Sequence, residues 1–75
     1  MSAKMPVVSG PALVRALQRL GFRVARQTGS HVILDHPDGR FASVPVHGKR
    51  DVPVGTLRGI LANAKLDVED VRRHL

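Results

Sequence analysis

The stretch "FRVARQTGSHVILDHPDGRFASVPVH", residues 22 to 47, decides the fold. Short runs that alternate apolar and polar residues are separated by turn signals, the pattern of an antiparallel meander. In the first run Phe22 and Val24 fall on one side, with Arg23 and Ala25 on the other. Thr28 and Gly29 turn the chain into "SHVILD", where a period of two sets Val32 and Leu34 against His31, Ile33 and Asp35. "HPDG" at 36 to 39 is a second turn: Pro37 fixes φ, Asp38 tolerates the bridge region and Gly39 closes it. A third strand over about 40 to 46 aligns Ala42, Val44 and Val46. Pro45, which has no amide proton for a ladder, puts this strand at an edge or near its end.

A sheet with one apolar face needs a cover, and the flanks supply helices. Ser9 is a cap with Pro11 in the first turn, and Leu13, Val14, Leu17 and Leu20 recur on one helical face until Gly21 ends the helix. Residues 1–8 read as a loose tail. Beyond "HGKRDVP", Leu57, Ile60, Leu61 and Ala64 form a second stripe. Gly59, which weakens a helix by roughly 1 kcal/mol relative to Ala, reads there as a mark of close approach. Asp67 and Asp70 then cap a short final helix that docks through Val68, Val71 and Leu75. The expected architecture is α+β: an α-β-β-β-α sandwich, with a three-stranded antiparallel sheet covered on one face by helices and a short C-terminal helix.

At 75 residues the chain is one domain, near the lower size limit for folding without staples. It has no cysteine, so disulfides and thiolate chemistry contribute nothing. No apolar run approaches a membrane span and no leader is visible, which makes a cytoplasmic protein the expectation. Twelve Lys and Arg residues against six Asp and Glu give a formal charge of +6, which favours a polyanion or an acidic protein as partner. With two Phe and neither Trp nor Tyr, an extensive aromatic platform for single-stranded bases is not expected.

Of the four histidines, His36 lies in the turn and His74 near the end, and both read as structural or exposed. His31 and His47 occupy odd strand positions, away from the apolar face. A histidine titrates near neutrality and can exchange a proton at working pH. Cleavage of RNA asks for little more, because the 2′-hydroxyl is the nucleophile, and a nearby cation steadies the developing phosphate charge. On local grounds alone a histidine that opens a strand is more often an ordinary surface residue. The spacing of His31, Asp35 and His36 matches no established metal cluster.

Four ordered pieces, "LVRALQRLGFRVARQ", "GSHVIL", "HPDGRFASVPVH" and "DVPVGTLRGILANAKL", together resemble the HicA-like toxins over about Ser9 to Leu75. These are messenger-RNA interferases of type II toxin–antitoxin systems, with a fold like that of double-stranded-RNA-binding domains. The resemblance implies a metal-independent endoribonuclease without cofactor, acting in stress response and growth arrest and restrained by a HicB-like antitoxin that covers the active face. It assigns catalysis to the histidine of the Gly-Ser-His motif, here His31, positioned by Gly29 and Ser30. Arg23, Arg26, Lys49 and Arg58 are the candidate RNA phosphate contacts by charge. Two departures stand out: Thr28 precedes the motif where the family often has Lys or Arg, and Lys65 follows Ala64 where Gly is frequent. The alternatives are a non-catalytic RNA-binding module of the same fold, which binds without scission, and a protein-interaction module that docks an acidic partner.

Overall fold

The computed structural model describes residues 4–75; the first three residues of the expected tail lie outside the described part. The elements run α1 (Gly10–Arg19), β1 (Arg23–Thr28), β2 (His31–Asp35), β3 (Phe41–Pro45), α2 (Val54–Ala64) and α3 (Val68–Arg72). The strands form one antiparallel sheet in the order β1-β2-β3, which places His31 on the central strand. This is the expected α-β-β-β-α arrangement with its short final helix.

Each helix starts for a local reason. The Ser9 hydroxyl accepts the Ala12 amide at 3.2 Å, and Pro11 sits in the first turn, where its missing N–H costs no bond. In α3 the Asp70 carboxylate accepts the Asp67 amide at 3.0 Å, the return half of a capping box. The last turn of α2 is tied down from outside: Arg40 donates to the Ala64 carbonyl at 2.9 Å and to Asp38 at 2.7 Å, while its guanidinium lies 5.2 Å from the Phe22 ring centre. Burial opposes ionisation of Asp38. The Arg40 amide and guanidinium together with His36 outweigh it and hold the carboxyl below the usual carboxylate range.

Leu13, Ala16 and Leu17 of α1, Leu57, Ile60, Leu61 and Ala64 of α2, and Val71 of α3 meet Val32, Leu34, Ala42 and Val44 in one core. Both long helices therefore cover the same face of the sheet and leave the other open. Gly10 lets α1 lie against the end of β3: a Cβ there would stand 2.5 Å from the Pro45 carbonyl oxygen.

Several expectations need correction. Residues 4–8 are not a loose tail: Val8 is buried, its carbonyl accepts the Val52 amide at 2.8 Å, and Arg72 donates to the Lys4 carbonyl. A buried polypeptide edge must pair its backbone, and the strip from Val8 to Gly10 does so against Arg50 to Val52. In α1 the core contact at the middle of the helix is Ala16, whereas Val14 and Leu20 are only partly buried. Gly59 marks no close approach, since nothing lies within 4 Å of where its Cβ would be. It faces away from Leu57 and Ile60, on the solvent side of α2. Leu75 is 52% exposed, leaving Val71, with the partly buried Val68 beside it, to dock α3. The first strand has no buried face: Phe22 precedes it, and all of Arg23–Thr28 is exposed. The cause is position, because β1 is an edge strand and the helices pack chiefly over β3.

Candidate nucleic-acid interface

Thr28 and His31 are cross-strand partners joined by the two-residue loop Gly29-Ser30. Gly29 has φ +56°, a conformation that L side chains rarely adopt, and a glycine at the first loop position suits such a hairpin. Space is not the constraint, as no atom lies within 4 Å of its missing Cβ. The Ser30 carbonyl accepts the Val46 amide at 2.6 Å, so the loop before His31 is bonded to the end of β3. His31 itself pairs with Pro45 on its other side. Its backbone is fixed from both sides while its side chain is exposed.

The register sets out the open face row by row, because directly paired residues of an antiparallel ladder point to the same side. Thr28, His31 and Pro45 form the first row, Arg26, Ile33 and Ser43 the second, and Arg23, Asp35 and Phe41 the third. Arg26 belongs to this face only because the register shifts between Val24 and Arg26, making Ala25 a bulged residue. Strict alternation from Arg23 would have turned both Arg26 and Thr28 to the helix side. This bulge is the feature that reading by period two misses.

The structure brings together some of the expected site residues. Arg26, Gly29, Ser30 and His31 cluster at one end of the open face. Arg23 shares the face two rows away, with its Nε 2.9 Å from Asp35 Oδ1, so its charge neutralises a carboxylate there. Among the described residues Arg26 has no ion-pair partner. Lys49 lies in the next turn of the chain, His47 to Arg50, which is closed by the Arg50 amide donating to the His47 carbonyl at 3.1 Å. That turn follows directly on Val46 and so flanks the Ser30 end of the face. Arg58 is on α2, in the helical layer across the sheet from His31.

His36 is structural: its ring packs edge-on against Phe22 at 5.0 Å between centres. Among the described residues no three His, Asp or Glu side chains are grouped to hold a metal ion, and no helix is long and apolar enough to cross a membrane. A groove of about 370 Å³ lies elsewhere, between the residue 7–9 strip, α1 and the chain end, lined in part by Arg15, Arg19 and His74. None of the expected site residues borders it. Arg40, counted by charge among the basic residues, is committed to the Asp38 and Ala64 bonds and serves the fold.

The comparisons with known proteins fit this geometry. Residues 10–66 match the protein family described as HicA toxin of bacterial toxin-antitoxin. The match takes in α1, the whole sheet and α2, and stops before α3. No curated protein matches the chain.

Proposed function

Because the chain belongs to the HicA toxin family, we propose that it is the toxin of a toxin–antitoxin pair and cuts messenger RNA with His31 as its proton-transfer group. The observation that carries this reading is the position of His31: exposed, held on both sides by ladder partners, on a face that the helices leave open. A substrate as large as RNA needs such an open approach. His31 takes the proton of a ribose 2′-hydroxyl as the oxygen attacks the adjacent phosphorus, the bond from phosphorus to the 5′-oxygen of the next nucleotide breaks, and a proton from solvent water completes the departing hydroxyl. The nucleophile belongs to the substrate, so the reaction needs no metal-bound water. Arg26, on the next row and free of a carboxylate, meets the phosphate whose charge grows in the transition state. Lys49 at the flanking turn holds a neighbouring phosphate, and Gly29 and Ser30 set the height of His31 above the sheet.

Messenger RNA as substrate puts the protein in the cytoplasm, and a HicB-like antitoxin would restrain it by covering the open face. The test is RNA cleavage and growth arrest on expression, comparing wild type with His31→Ala. Since His31 is exposed, the variant should fold with stability unchanged to within about 0.5 kcal/mol. Its cleavage rate should fall by about 10²- to 10⁴-fold, the usual worth of general acid–base catalysis. Equal cleavage by the variant would remove His31 from the mechanism, and binding without scission by the wild type would make the protein an RNA-binding module.

A further inference from the structure

Phe41 is 52% exposed, an unusual position for a benzyl side chain in a chain with one other aromatic residue of its type. Its neighbour Ala42 is fully buried, so Phe41 points away from the core. It pairs with Asp35 in the third row of the open face, where Asp35 is already neutralised by Arg23 at 2.9 Å. Pro45, the partner of His31, lies four residues further along the same strand. At about 3.3 Å per residue, Phe41 and the His31 row are roughly 13 Å apart on one face. Between them lie Ile33, Ser43 and the unpaired Arg26.

We propose that Phe41 is a stacking plate for a nucleobase of single-stranded RNA laid across the open sheet face, so that the plate fixes which phosphate reaches His31. The proposal rests on the RNA-cutting reading above and names its substrate class. A nucleic acid strand alternates flat apolar bases with charged phosphates, and this face alternates in kind: an aromatic plate, a cation free of carboxylates, then a proton-transfer group. Its one carboxylate is cancelled by an ion pair, which removes the repulsion a phosphate would meet. The apolar part of the face is narrow, the exposed Phe41 ring with the half-buried Ile33 and Pro45 among polar neighbours, suited to a base and too small for a broad protein contact. Only an unpaired strand can turn a base flat onto a sheet, since the bases of a duplex are stacked on one another.

Fully 2′-O-methylated single-stranded oligoribonucleotides carrying 2-aminopurine make the test, because they lack the attacking hydroxyl and report stacking by quenched fluorescence. Wild type should bind the single strand more tightly than the matching duplex and quench the probe. Phe41→Ala and Phe41→Leu should each weaken binding by about 5- to 150-fold and lose the quench, while Phe41→Tyr keeps both. On cleavable RNA, Phe41→Ala should also blur the pattern of cut sites. Unchanged binding in Phe41→Ala, full binding in Phe41→Leu, or a preference for duplex would overturn the stacking plate. Loss of binding to an acidic protein partner with RNA affinity intact would give the face to that partner instead. These readouts do not involve His31: if His31→Ala still cut RNA, the mechanism would fall and the plate would stand, whereas a wild type that bound no RNA would sink both.

Discussion

Thr28 is the direct cross-strand partner of His31, yet it brings no charge to the row where a phosphate would lie. A cation at this position would stand one strand away from His31, about 4.8 Å across the ladder. Thr28→Lys should therefore add one phosphate contact. The slope of log binding constant against log salt for single-stranded RNA should steepen by about 0.7, with tighter binding at low salt, as measured by a salt titration. An unchanged slope would mean that the strand does not pass over this row. Arg23 shows the opposite case, a cation whose charge was legible but whose commitment was not. Its ion pair with Asp35 joins residues on different strands, and only the register brings them together.

Among the elements, β1 is where local pattern and structure part. Its alternation is real at Arg23 and Val24, paired with Asp35 and Leu34, and is then reset by the bulged Ala25. A bulge adds one residue to one strand, which leaves no mark in the composition of either. The loops and caps were more legible, because a cap is a bond between residues a few positions apart. The end of α2 illustrates the energetics. Lys65 has φ +54° and its amide donates to the Ala62 carbonyl at 3.2 Å, while the Leu66 amide reaches the Leu61 carbonyl at 3.0 Å. This left-handed stop is one that glycine adopts without the roughly 1–2 kcal/mol penalty of an L side chain. After the entropy that glycine adds to the unfolded chain, Lys65→Gly should stabilise the protein by about 0.5–1 kcal/mol. Urea unfolding would record this as a higher midpoint with an unchanged slope.

For the whole molecule, the margin is small. A domain of 75 residues has about 4–11 kcal/mol of stability at the usual 0.05–0.15 kcal/mol per residue. Leu34 is fully buried on the central strand, on the face opposite His31 and the half-buried Ile33, and packs in the core shared by all three helices. Leu34→Ala should cost about 2–5 kcal/mol, a large share of that margin, and thermal unfolding should show a drop of roughly 8–40 °C. Because the same strand carries His31, RNA cleavage at growth temperature should fall with the folded fraction and recover on cooling. A loss of cleavage without a loss of folded protein would point to a second role for Leu34. The net charge of +6 acts at this scale too, drawing polyanions to every basic surface, whereas the proposed alignment of a strand belongs to the open sheet face alone.

Taken alone, the sequence determined the order of elements, the helix starts at Ser9 and Asp67, and the turns at Gly29 and Gly39, since each depends on chain-local periodicity or on bonds a few residues long. Tertiary structure decided what those signals meant for a site. The helices cover one face and leave β1 bare, the Ala25 bulge carries Arg26 and Thr28 to the His31 side, and Arg58 falls on the far layer. Phe41, passed over when the aromatics were too few for a platform, becomes a candidate contact once its row on the open face is known. The physical reason is common to all of them: which residues share a face depends on ladder register and on which side the core is packed, and both are set between strands rather than along one.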